Sequence, residues 1–235
     1  MYPWHPSVKI IKFENSIFAI YKPCGILSQP NKPGVCKQGI MQAPYNFDRE
    51  AYETKEGWVY LLNRLDSPTS GIIILCTDYE ISKQIKTAFK EHHVNKIYYA
   101  LVKGRFPTQQ LLWQDRLLIQ KQNNKIRTKC ASNAGIISKT TVSLLKNYTI
   151  NGENLSLVQL HPHTGRSHQL RVQCAHHNFP ILGDKTYGNF NCNHRLKAHR
   201  LFLHAQHVDF SLPTGLSFNA TCDPEEWELT QSVAL

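Results

Sequence analysis

Residues 58–76 constrain the fold most. Two short apolar runs, Trp58–Leu62 and Ile72–Cys76, are rich in β-branched and aromatic side chains. Both are too short for helices and read as buried strands. Between them lies a polar loop, Asn63-Arg64-Leu65-Asp66-Ser67-Pro68-Thr69-Ser70-Gly71. A loop tied at both ends to buried strands is a good mount for a reactive group, because the scaffold sets its geometry. Asp66 is its only carboxylate and Arg64 stands two residues away. The same composition also fits an ordinary turn in which Asp66 caps backbone amides. The loop alone does not decide between these readings.

Composition narrows the field. The chain has 235 residues, 41% of them hydrophobic, enough for one large domain or two small ones with a real core. No apolar run approaches the roughly 18 residues of a membrane helix, and the start, Met1 to Pro6, has no secretory pattern. Seven scattered cysteines without a Cys-x-x-Cys pair argue for reduced thiols and a cytoplasmic setting. The 27 Lys and Arg against 17 Asp and Glu give a net charge of +10. That excess favours a polyanion, and with no basic amphipathic helix in view, nucleic acid leads over a membrane surface.

Taken in order, residues 8–21 read as a β-hairpin. Residues 30–57 read as an irregular surface excursion with a short helix around 48–54. Thr77-Asp78 caps a helix over 79–92, with Ile81, Ile85, Ala88 and Phe89 on one face. Strands are expected at 94–103, 111–120, 139–148 and 154–161, with a basic loop at 121–135 and a tight turn at Asn151-Gly152. A Gly-containing turn then opens a helix over 167–177, where Arg166, His168 and Arg171 suit an anion. Strands at 201–210 and 216–222 follow, then a solvated acidic stretch from Asp223 to Glu228. Many strands, few helices and no regular βαβ alternation indicate an α+β fold with a large mixed or antiparallel sheet.

Other chemistries find little support. Nine of twelve histidines lie between 161 and 207, and Cys174, His176, Cys192 and His194 hint at a metal, but without zinc-ligand spacing; no metal is expected. Dinucleotide, Walker and serine-hydrolase signatures are absent. A glycosidase would want a second carboxylate beside Asp66. A lone carboxylate among arginines and tyrosines on a basic chain suits chemistry on a nucleotide.

Several segments resemble the RluA family of RNA pseudouridine synthases. The loop at 63–71 is similar to that family's His-Arg-Leu-Asp-x-x-Thr-Ser-Gly signature, with Asn63 in place of the histidine. Lys22-Pro23-Cys24-Gly25 resembles its Lys-Pro-x-Gly motif and Lys96-Ile97-Tyr98-Tyr99-Ala100 its Lys-x-Tyr-x-Ala strand. Thr164-Gly165-Arg166-Ser167-His168-Gln169-Leu170-Arg171 resembles its Thr-Gly-Arg-x-His-Gln-Leu-Arg motif, and Pro180–Asp184, Leu203-His204-Ala205 and Pro213-x-Gly215 complete the order. The resemblance implies a single catalytic domain over 1–235 with a central RNA-binding cleft and no appended N-terminal RNA-binding domain. No exposed apolar helix face asks for a partner, so a monomer without protein partners is expected. The resemblance also implies isomerisation of uridine to pseudouridine in rRNA or tRNA without a cofactor. Asp66 would be the catalytic carboxylate and Arg166 its ion-pair partner. Tyr98 would stack on the uracil and remove the final proton, and Arg64 would help flip the nucleotide. The rival expectation is a catalytically silent relative that binds RNA in assembly.

Overall fold

The computed structural model describes residues 2–122, 125–224 and 227. Their backbone divides into two compact units, one of residues 2–96 with 205–224, the other of residues 97–122, 125–204 and 227.

The first unit is built on strand β6 (Ser70–Cys76), all seven residues of which are buried. Its Ile-Ile-Ile-Leu run is apolar on both faces because both faces are covered. Antiparallel to it lies β2 (Ile17–Lys22), also wholly buried and paired Ile17 to Cys76 through Lys22 to Gly71. β1 (Lys9–Glu14) closes the expected hairpin onto β2. On the other side β5 (Gly57–Leu61), β4 (Ala51–Thr54) and β3 (Tyr45–Asn46) follow as an antiparallel meander. Helix α1 (Tyr79–Lys90) starts where Asp78 accepts a hydrogen bond from the Ile81 amide at 2.8 Å. Its Ile85 and Ala88 pack into one core with Ile72, Ile74 and the apolar residues of β12 (Leu203–Ser211) and β13 (Ser217–Thr221). Each Ile buried there contributes roughly 1.5–3 kcal/mol.

The second unit is an antiparallel sheet in the order β7 (Asn95–Lys103), β11 (Glu153–Pro162), β10 (Ile136–Ile150), β8 (Leu111–Gln122), β9 (Lys125–Cys130). The Asn151-Gly152 turn joins β10 to β11 as expected. Helices α2 (Gln169–His176) and α3 (Phe190–Arg195) belong to this unit. The core clusters include Leu170 and Cys174 of α2 and Cys192 of α3.

Four expectations from the sequence fail locally. Residues 48–54 do not form a helix: Ala51 and Tyr52 are fully buried on β4, and Thr54 turns the chain back by accepting from Glu56 N and donating to Gly57 O. The basic stretch 121–135 is not a loop but contains β9, where exposed Arg127 and Lys129 alternate with buried Thr128 and half-buried Cys130. Helix α2 begins at Gln169 rather than 167 because His168 adopts φ 56°. The acidic tail is not solvated throughout, since Trp227 is buried against Phe202. Residues 225, 226 and 228 lie outside the described set.

Gly71 has a conformation and a setting that only glycine fits. Its φ is +117°, and a Cβ there would overlap the backbone of Ala205. Gly71→Ala should therefore destabilise the protein by about 3 kcal/mol, combining left-handed strain with overpacking. Urea midpoints check this: a loss under about 0.5 kcal/mol, the range of a neutral surface change, would contradict the close approach.

Candidate active-site loop

The chain from Leu62 to Ser70 alternates between anchored and open residues. Leu62 is buried and its amide bonds to Ile74 O at 3.0 Å. Asn63 spans the two legs of the loop: its Oδ1 accepts from Ile74 N at 2.7 Å, and its Nδ2 reaches toward Ile72 O at 3.5 Å. Arg64 is exposed, Leu65 is buried, and Asp66 is half-open. A turn follows in which Thr69 N donates to Asp66 O at 2.9 Å, and Thr69 and Ser70 are buried at the start of β6.

The segment after β2 grips this loop. Lys22 has no exposed surface, and its ammonium donates to Pro23 O, Ile26 O and Ser67 O at 3.0, 2.8 and 3.0 Å. Gly25, at φ +89°, turns its amide onto the same Ser67 carbonyl at 2.8 Å. Ser28 Oγ accepts from Leu65 N at 3.0 Å and lies 2.8 Å from Leu65 O, to which it donates. The residues flanking Asp66 are thus held from below by buried bonds, each worth about 1 kcal/mol net, more for those to a charged donor.

The supposedly irregular stretch supplies the outer support. Tyr52 OH donates to Ser28 O at 2.8 Å. Tyr45 OH donates to Gln29 Oε1 at 3.2 Å, and Arg64 Nη1 approaches the same oxygen at 3.4 Å. Burial, with a smaller push from Glu50 that Arg64 opposes, raises the Tyr45 hydroxyl to about 12. Burial raises Tyr52 further still, so both tyrosines remain donors. No local pattern points to this role: Tyr52 stands among the charges of 48–56, and Tyr45 follows a proline in the irregular stretch before them.

The other two candidates belong to the second unit. Tyr98 sits on β7 opposite Leu160 of β11, its ring packed on the apolar cluster of that unit. Arg166 occupies the turn before α2, and Gln169 builds that turn: its Oε1 accepts from Thr164 Oγ1 and Arg166 N, while its Nε2 donates to Lys139 O and Thr140 Oγ1. The Arg166 Nε is buried without a hydrogen-bond partner. Buried donors are rarely left unmet. Asp66 and Arg64 therefore share one loop of the first unit, and Tyr98 and Arg166 lie in the second.

The expected anion site at this helix start is only partly present. Arg171 is buried and paired with Asp184 through two bonds of 2.7 and 2.8 Å, so it faces no phosphate. The His168 ring is 2.8 Å from Tyr187 OH. Of the basic residues at 195–200, Arg195 pairs with Glu153 and Arg200 is buried; Lys197 is exposed.

A sequence profile of the RNA pseudouridylate synthase family matches residues 16–176, which include the loop, Tyr98 and Arg166. The chain belongs to that family. Its members are isomerases acting on RNA, and the relatives place it in the RluA branch. The chain is 31% identical to ribosomal large subunit pseudouridine synthase D of Borreliella burgdorferi, over 89% of its own length and 63% of that relative's. It is 32% identical to tRNA pseudouridine synthase C of Yersinia pestis, over 94% of the chain and 88% of the relative. In fold it matches the solved human RNA pseudouridylate synthase domain containing 1, with a TM-score of 0.75 at 21% identity over 93% of this chain and 84% of the other. The α+β architecture expected from the sequence is that of the family.

The Arg171–Asp184 pair makes a test of the second unit. Burial raises the Asp184 carboxyl, but the bonds and charge of Arg171 and the amides of Thr186 and Tyr187 outweigh it and hold the carboxyl below its ordinary range. A carboxyl depressed on folding adds stability above its unfolded pKa, and this is lost as pH falls through the folded value. The stability gap between wild type and Asp184→Asn should therefore be widest near neutrality and narrow below about pH 4, where unfolded carboxyls begin to protonate. Equal gaps at pH 7 and pH 3 in urea titrations would contradict the pairing.

Proposed function

We propose that Asp66 is the carboxylate with which this chain isomerises uridine to pseudouridine in transfer or ribosomal RNA, with no cofactor. The observation that carries this is the mounting of Asp66. It is the only carboxylate on a half-open loop whose flanking residues are fixed by Lys22, Gly25, Ser28 and Asn63. Preorganised placement is what a group attacking a sugar or its base needs.

In the reaction the N-glycosidic bond breaks, the freed uracil turns, and one of its ring carbons bonds to the same sugar carbon. The proton displaced from that ring carbon is balanced by one gained on the ring nitrogen. Asp66 would act as nucleophile or base in the first step. Tyr98 would present its ring to the uracil and take up the displaced proton. Arg64, exposed on the same loop, and Arg166, with an unmet donor, would hold the flipped nucleotide. The excess of ten positive charges supports RNA binding through phosphates. The similarity to relatives named for ribosomal and for transfer RNA supports both substrate classes. Seven cysteines without a disulfide suit a cytoplasmic setting. Among the described residues, no helix is long and apolar enough to cross a membrane.

The test is pseudouridine mapping. Ribosomal and transfer RNA lacking the modification are treated with wild type and with Asp66→Ala and read by carbodiimide-stop sequencing. Wild type should create new pseudouridines, and the variant should lose turnover by on the order of a thousandfold or more while keeping its RNA affinity. Tight binding by both proteins with no new site from either would favour the silent RNA-binding relative. The RNA class that carries the new sites identifies the substrate.

A further inference from the structure

Three potential metal ligands meet in the second unit, none of them a residue named above for the reaction. Asp115 lies on β8, Cys130 on β9, and His176 is the last residue of α2. Strand pairing puts Cys130 opposite Leu117, so Asp115 is its diagonal neighbour two residues along the same strand. The ligand atoms of the three residues all lie within 4.8 Å of one another, and His176 Nε2 is 3.8 Å from Asp115 Oδ1. They line a pocket of ≈ 370 Å³, together with Gln114, Arg116 and Ala131.

The supporting shell is already built. Gln173 Nε2 donates to Asp115 Oδ2 at 2.7 Å, and Gln173 is itself held through Oε1 by Thr140 Oγ1 at 2.7 Å. His177 Nε2 stands 3.2 and 3.1 Å from the two Asp115 oxygens. Its ring is stacked on Trp113 at 4.5 Å and an interplanar angle of 5°. A carboxylate oriented by an amide and a clamped imidazole is the arrangement that fixes a metal ligand from behind. His176, by contrast, has a side chain 53% exposed and can turn.

We propose that Asp115, Cys130 and His176 bind one zinc ion. Thiolate, imidazole and carboxylate together suit Zn²⁺, whereas Mg²⁺ and Ca²⁺ take oxygen ligands. Bond lengths of about 2.0–2.3 Å in a tetrahedron separate one sulfur and two nitrogen or oxygen ligand atoms by roughly 3.3–3.6 Å. The His176–Asp115 distance of 3.8 Å is a few tenths of an ångström too long, and small side-chain rotations of His176 and Cys130 would bring all three ligands into range. On binding, Cys130 releases its proton to solvent, and a water in the pocket completes the fourth position. The ion would clip the β8–β9 hairpin to the C-terminal end of α2. Zinc-motif spacing does not point to this site, because strand pairing rather than a short sequence interval brings Asp115 to Cys130.

The full chain is stripped with a chelator and titrated with Zn²⁺, alongside Cys130→Ser, His176→Ala, Asp115→Asn and His177→Ala, all shown folded by circular dichroism. Wild type should take up one tightly held ion per chain. Each of the three ligand variants should bind at least about tenfold more weakly, and His177→Ala about 10–100-fold more weakly, the effect of losing an outer support. With Co²⁺ as probe, a near-ultraviolet thiolate-to-metal band should appear in wild type and be missing in Cys130→Ser. No binding by wild type, or equal binding by wild type and the three ligand variants, would overturn the proposal and leave the cluster a histidine–carboxylate ion pair.

Discussion

The Lys22 ammonium is the point on which the candidate active site hangs. Removing such a charge from water costs several kcal/mol unless its donors are met, and three short bonds to carbonyl oxygens meet them. Two of those carbonyls belong to the turn after β2 and the third to Ser67, next to Asp66. One buried cation therefore locks two segments of chain that are 45 residues apart. The Gly25 amide on the same Ser67 carbonyl and Ser28 on both backbone groups of Leu65 complete the clamp. Flexibility in this loop would cost catalysis directly, since displacement of a reacting group by an ångström can cost about a hundredfold in rate.

The replacement of the family's histidine by Asn63 fits this picture. Its side-chain oxygen takes the Ile74 amide at 2.7 Å, so the position braces the two strands that carry the loop. An acceptor of the right reach is what that bond needs, and an amide supplies one without a titrating group.

Much of this was legible in the sequence where period and punctuation agree. The buried runs around 63–71, the Asp78 cap and the Asn151-Gly152 turn all behave as their residue types dictate. Asp66 stood out because it was the one carboxylate between two such runs. What escaped notice was hidden by composition or set by distant partners. Lysine and asparagine around 121–135 concealed the alternation of β9, and charges around 48–56 concealed the buried Ala51 and Tyr52. Helix α3 is only six residues long and announces itself chiefly by its Asn189 cap. Arg171 looked like a phosphate ligand, yet Asp184, thirteen residues on, takes it into the interior. Nothing local distinguishes a buried arginine from an RNA-facing one until its partner is placed.

A carboxylate mounted for reaction at Asp66 needs a rigid loop, and native-state hydrogen exchange measures that rigidity directly. The amides of Gly25, Leu65 and Thr69 each donate to an acceptor inside the clamp. If the clamp is as tight as its bonds imply, these three should exchange only with global unfolding, at the same free energy as the core amides of β6. Exchange of the three through a local opening several kcal/mol below the global value would show a mobile loop and contradict the account.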